Sequence, residues 1–175
     1  MLREFLSISA FERWLGVSHL SLSVLRAGFD GGWVTAREVV QVELSHYKRG
    51  EKLHSREESL ALLLADELET IPEILADDGV SLLNSSLPWF YAAGMELESV
   101  WSRRPNPVEE LYEILETLGL DEQFKELVYF EPVGIFTRVA RGSYLKEKLR
   151  RRLDILRSTV LSSGTTTGNS SDGCT

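Results

Sequence analysis

Residues 145–160 read LKEKLRRRLDILRSTV, and their apolar side chains recur at intervals of three or four positions. At 3.6 residues per turn this spacing gathers the apolar side chains on one side of an α-helix, while basic side chains fill the rest. The sequence therefore predicts a long, basic C-terminal helix that opens at Gly142-Ser143 and must be covered by other helices. Its predicted buried face consists of Leu145, Leu149, Leu153, Leu156 and Val160.

Three earlier helices are predicted from N-terminal capping signals in the first fifty residues. Ser7 or Ser9 can cap the first helix, and the second begins at about Ser18. Thr35 and Glu38 have the spacing of a capping box, in which each side chain accepts a hydrogen bond from the other residue's backbone. The chain thus begins as a series of short helices separated by glycine-containing turns.

A second capping-box spacing, Ser55 and Glu58, precedes a run of leucines at helical intervals. This run predicts a helix that continues to Leu68. Proline is tolerated only in the first turn of a helix, so Pro72 predicts a kink or a fresh start capped by Thr70. The predicted buried face of the leucine helix is Leu60, Leu63, Leu64 and Leu68.

The remaining chain supports an all-α fold with one open alternative. A helix is predicted from about Leu87 to residue 102, and Asn106-Pro107 start another whose buried stripe runs from Leu111 to Leu118. The four tryptophans are interpreted as core residues. Residues 128–140 contain the only segments that could be extended, so a short β-hairpin there stays open.

Composition predicts one domain without a disulfide bond. The chain has 175 residues, 43% of them hydrophobic, and a single cysteine, Cys174, which suits a reducing compartment. No charge-free apolar run is long enough for a signal peptide or a membrane span, so a cytoplasmic location is expected. We expect a helical domain over residues 1–163 and a flexible tail over residues 164–175, which are too polar to build a core.

Charge is divided unevenly along the chain. Residues 51–132 contain 19 acidic and 5 basic side chains, a net charge of −14, whereas residues 133–175 have a net charge of +5. An acidic surface repels nucleic acid and attracts basic proteins. The basic last helix is expected to match acidic helices of the same chain.

Motifs for catalysis or metal binding are not found in the sequence. His19, His46 and His54 lie apart, and neither a phosphate-binding glycine loop nor a metalloprotease helix is present. Clustered carboxylates can bind a divalent ion or act as acid and base, which keeps a metal-dependent enzyme open as the alternative. The preferred prediction is a protein that is not an enzyme and has no catalytic residue, metal or cofactor.

Several segments have the order and spacing of a known family. Over residues 10–133 the chain resembles the bacterial DUF2247 family of small cytoplasmic proteins, but it departs from that family at Val128–Glu131 and after Pro132. No catalytic residue can be carried over, because that family has no assigned chemistry. The segments that carry the resemblance are Gly28–Thr35, Leu60–Leu63, Pro88–Tyr91, Asn106–Tyr112 and Tyr129–Pro132, together with Trp14 and Phe124.

These features together favour a protein-binding module. Its most concrete form is an immunity protein that neutralises a cognate bacterial toxin, such as a basic nuclease, through an acidic surface. A structural or regulatory subunit is a further alternative. The predicted contact residues are Asp66, Glu69, Glu73, Asp77, Glu109, Glu110, Glu113 and Glu116.

Overall fold

The computed structural model describes residues 2–76, 82–128 and 138–163, without the side chains of residues 82–84, 138–141 and 162–163. These residues form nine α-helices and contain no β-strand, which confirms the predicted all-α fold. Four short 3₁₀ turns, Leu2–Glu4, Val17–His19, Leu68–Thr70 and Trp101–Arg103, connect them. The helices are α1 (Ile8–Trp14), α2 (Leu22–Asp30), α3 (Ala36–Lys48), α4 (Ser55–Ala61), α5 (Ile71–Leu75), α6 (Leu82–Val100), α7 (Pro107–Thr117), α8 (Lys125–Val128) and α9 (Arg138–Ser163).

The predicted capping signals of α1 and α3 are confirmed. Ser7 Oγ accepts a hydrogen bond from the Ala10 backbone N–H at 3.2 Å. Thr35 Oγ1 accepts from the Glu38 N–H at 3.3 Å, and the Glu38 carboxylate accepts from the Thr35 N–H at 2.8 Å. These bonds satisfy backbone donors that the first turn of a helix leaves free.

Helix α4 is shorter than the leucine pattern predicts. It ends at Ala61, and the following segment has its own hydrogen bonds, since the Glu67 carboxylate accepts from the Leu64 N–H at 3.0 Å. The capping residue is His54, one position before the predicted Ser55, and its N–H donates to the Glu57 carboxylate at 2.7 Å. A side-chain acceptor within the loop thus competes with continuation of the helix.

Helices α6 and α9 begin earlier than predicted. α6 starts at Leu82 and contains Pro88 in its interior, although proline was expected to mark the first turn. The Pro88 ring is buried, so packing favours a helical conformation that local propensity opposes. α9 starts at Arg138 instead of at Gly142. Val128 ends α8 and Arg138 begins α9, and the rest of the segment left open for a short hairpin, residues 129–137, lies outside the described residues.

The core is arranged around α6, which contacts α1, α2, α7 and α9. Trp89 is fully buried there, with its ring edge-on to Phe11 at 4.9 Å between centroids and to Trp33 at 5.8 Å. Its indole N–H donates to the Val24 carbonyl at 2.8 Å. Trp89 and Trp101 are buried and Trp14 and Trp33 half-buried, in line with their predicted core role.

Helix α9 closes the core on the side of α6, α7 and α8. All five residues of its predicted apolar face are buried. Two of its basic residues meet acidic side chains of other helices, with Lys146 Nζ 3.4 Å from Glu98 and Arg152 Nε 3.5 Å from Glu126, whereas Arg151 pairs with Glu147 of α9 itself. None of the helices in the described ranges combines the length and apolar character needed to cross a membrane.

Candidate functional site

The chain between α4 and α5 forms an exposed apolar and acidic surface. Leu62 and Leu64 are 57% and 63% exposed, although leucines usually belong to the core. Asp66, Glu69 and Glu73 follow them and are also exposed. We call residues 62–73 the acidic leucine segment.

The segment is held in shape by bonds within itself. Glu67 uses its side chain to accept from the Leu64 N–H, and its carbonyl accepts from the Thr70 hydroxyl at 2.8 Å. Asp66, Glu69 and Glu73 have no ion pair with any described side chain. Three carboxylates of this segment are therefore available to an external cation.

The predicted acidic residues fall into separate groups. α5 packs on α2, α4 and the Leu68–Thr70 turn, whereas α7 packs on α6, α9 and the Leu2–Glu4 turn. Glu109, Glu113 and Glu116 are exposed on α7. Asp77 lies outside the described residues. Of the eight predicted residues, Asp66, Glu69 and Glu73 are thus exposed near α5 and Glu109, Glu113 and Glu116 are exposed on α7, and the single surface stays a prediction.

Glu110 is not available to a partner, which corrects its predicted role. Its side chain is buried, and both carboxylate oxygens accept from Arg104 Nε, at 3.0 and 2.9 Å. Arg104 also donates to Glu4 at 3.0 Å and lies over the Phe5 ring. The bonds with Glu110 raise the pKa of Arg104, and the pair fixes the N-terminal turn against α7.

A buried polar cluster lies on the face of α3 towards α4, and no sequence motif points to it. Glu43 is only 2% exposed, and burial raises its pKa to about 8, helped by the negative charges of Glu57 and Glu51. His46 lies one turn further along α3 and is also buried. The available signal was spacing, because Val39, Glu43 and His46 follow the i, i+4, i+7 pattern of the buried face.

The His46 ring connects α3 to the chain that follows it. Its Nδ1 lies 2.5 Å from the Glu51 carboxylate, whose other oxygen is 2.8 Å from Arg49 Nε. The hydrogen bond with His46 lowers the pKa of Glu51. His46 Nε2 is buried with no hydrogen-bond partner in the described part of the chain.

Glu43 and His46 belong neither to a metal-binding group of described residues nor to the lining of the groove beside α4. Nowhere in the described ranges are three His, Cys, Asp or Glu side chains grouped so that they could hold a metal ion. A groove of about 340 Å³ lies nearby, but neither Glu43 nor His46 lines it. Its lining residues are Leu22, Ser23, His54, Ser55, Arg56, Ile74 and Leu75.

Comparison of the chain with protein-family models, curated proteins and solved structures finds no match. The resemblance to the DUF2247 family therefore stays a prediction.

Proposed function

We propose that the chain is a protein-binding domain whose acidic leucine segment contacts a basic partner. The supporting observation is that Leu62 and Leu64 are exposed beside three carboxylates that have no cation among the described residues. Contiguous exposed apolar surface rimmed by polar residues marks protein contact sites. In its most concrete form the domain is an immunity protein, and the partner is a cognate bacterial toxin with a basic surface.

The two chemical components of the segment have separate roles in this proposal. Burying one leucine side chain contributes about 1.5–3 kcal/mol, so Leu62 and Leu64 supply affinity. Asp66, Glu69 and Glu73 steer a basic partner and accelerate association, an effect that salt screens. The internal bonds of Glu67 hold the loop in one shape, which lowers the entropy lost on binding.

The acidic side of α7 has a secondary role. Glu109, Glu113 and Glu116 add to the negative field without lying in the contact, since α7 and α5 pack on different neighbours. Glu110 is excluded because its carboxylate is bound to Arg104.

The first experiment is a pull-down from the source organism with tagged protein, eluted with a salt gradient and identified by mass spectrometry. The binding constant of a captured partner is then measured for two triple variants with the same change in charge. We expect Asp66→Lys/Glu69→Lys/Glu73→Lys to abolish binding. The matched control, Glu109→Lys/Glu113→Lys/Glu116→Lys, weakens it by less and mainly slows association.

A third variant tests the apolar contact of the two leucines without changing the charge of the segment. Leu62→Ser/Leu64→Ser leaves every charge in place, so the association rate should be kept while dissociation becomes faster. Full affinity in this variant and in the Asp66/Glu69/Glu73 variant would sink the proposal that this segment is the contact. A stronger loss with the α7 variant would move the contact to α7.

An acid–base enzyme is the second candidate, and it rests on Glu43. Its raised pKa beside His46 is a property of catalytic carboxyl groups. The groove next to the cluster is lined by other residues, so this candidate has less support. A substrate screen in which Glu43→Gln removes the activity that the wild-type chain shows would reverse the preference.

A further inference from the structure

The Glu43 side chain lies in the α3–α4 contact without a cation to balance it. The residue is only 2% exposed and belongs to the buried face of α3, with Val39, Val42 and His46. Burial disfavours the ionised form of a carboxyl group, so the group takes up a proton instead. Next to it on α3, His46 has a buried nitrogen without a hydrogen-bond partner among the described residues.

The charged groups around Glu43 do not favour its ionised form. α4 contributes Glu57, and the chain after α3 contributes Glu51, both of which repel a negative charge on Glu43. The other charged side chains of α4, Arg56 and Glu58, are exposed, and Arg56 donates to the Ala76 carbonyl. Arg49 is bound to Glu51. The titratable residues on the other elements that pack on α3 are His19, Arg26, Asp30 and Glu69; His19 is half-buried, Arg26 and Asp30 pair with each other, and Glu69 is exposed.

We propose that the α3–α4 contact is a proton-controlled latch, closed while Glu43 is protonated and loosened when it ionises. The latch belongs to the fold and does not depend on the proposed partner. α4 is the element that yields, because it has only seven residues and its packing is mainly on α3 and α5. Loosening α4 would also move Leu62 and Leu64, which directly follow it.

The direction of the pH effect follows from the two protonation states. The pKa of Glu43 is 4.5 in the unfolded chain and about 8 in the folded one, so between these values only the folded chain keeps the proton. Stability of the contact therefore falls as pH rises from 4.5 towards 8, and the loss is complete above 8. Glu51 acts in the opposite direction, since its pKa is lowered and its contribution is lost on acidification.

Hydrogen exchange of the α4 amides tests the latch directly. After correction for intrinsic exchange, we expect protection of α4 to drop by at least about tenfold between roughly pH 6 and pH 9, while α9 changes little. Glu43→Gln should remove this drop, because the amide cannot ionise. The matched control Glu58→Gln, an exposed residue of α4, should keep it.

Two further measurements decide the outcome if Glu43→Gln fails to fold. A carbon-13 NMR titration of the wild-type carboxyl groups should show Glu43 titrating far above an ordinary glutamate. Glu57→Gln removes a repelling charge, so the loss of α4 protection should shift to lower pH. An ordinary Glu43 titration, or a wild-type pH response in Glu43→Gln, would overturn the latch whatever the partner experiments show.

Discussion

Gly28 lies at a point where α2 approaches α6 too closely for a side chain. A Cβ atom there would be 2.6 Å from Trp89 Cζ2 and 2.6 Å from Val34 Cγ2. We predict that Gly28→Ala destabilises the fold by about 1–3 kcal/mol, the usual range for an overpacked core, as measured by urea unfolding. Gly142→Ala is the control, since nothing lies within 4 Å of its added Cβ. That control should stabilise α9 by about 0.5–1 kcal/mol, and an equal loss in both variants would contradict the close contact.

The sequence was least informative about the burial and the bonding partners of single charged residues. Glu110 and Glu113 are both acidic residues of α7, yet one is buried against Arg104 and the other is exposed. Arg104 lies in the loop before α7, and nothing in the local pattern shows that it turns back onto the helix. Glu43 was missed for a related reason, because a charged residue on an apolar face is normally assigned to its edge.

At the scale of the element, α9 provides the clearest separation of inner and outer faces. Leu149 is fully buried, whereas Ile155 on the same helix is 61% exposed. We predict that Leu149→Ala costs about 2–5 kcal/mol of unfolding free energy, through lost burial and the cavity left behind. Ile155→Ala removes a similar apolar side chain and should change stability by no more than about 0.5 kcal/mol. Comparable losses in thermal unfolding would show that the outer face of α9 is also packed.

Helices whose buried residues follow one regular spacing were predictable from the sequence. Helices whose ends are set by a local side-chain hydrogen bond were not. The buried faces of α7 and α9 follow directly from their leucine spacing. The run after Leu60 has the same spacing, but the Glu67 side chain accepts a hydrogen bond from the Leu64 N–H, and Leu64 is the one residue of the predicted face that is exposed. The start of α6 was predicted too late, at about Leu87, because core packing of the Pro88 ring outweighs the low helix propensity of proline.

At the scale of the whole molecule, α9 is the last described helix and covers one side of the core. Its buried face covers α6, the helix that also contacts α1, α2 and α7. We predict that a chain ending at residue 137 loses the dispersed amide spectrum of a folded protein and aggregates in size-exclusion chromatography, because the core is left open. A chain ending at residue 163 should remain folded, since the last buried side chain described in α9 is Val160. A folded, monomeric short form would show that the first eight helices are sufficient.

The all-α class was predictable at this scale because it depends only on periodicity. The arrangement of the acidic residues was not, since the 19 acidic side chains of residues 51–132 lie on several helices and loops, and some, such as Glu110, are buried. Charge counts along a sequence contain no information about which face receives each residue. Long-range packing decides that, as the buried Glu110 and the exposed Glu113 of α7 show.

The paired indoles of Trp33 and Trp89 have an optical consequence. Two such rings 5.8 Å apart exchange excitation energy and couple their electronic transitions. Trp89 emits from a dry site with its N–H bound to a carbonyl, so its fluorescence should lie at shorter wavelength than that of a hydrated indole. Tryptophan fluorescence therefore reports, without an added label, on the packing of α2 and α6 with the 31–34 turn.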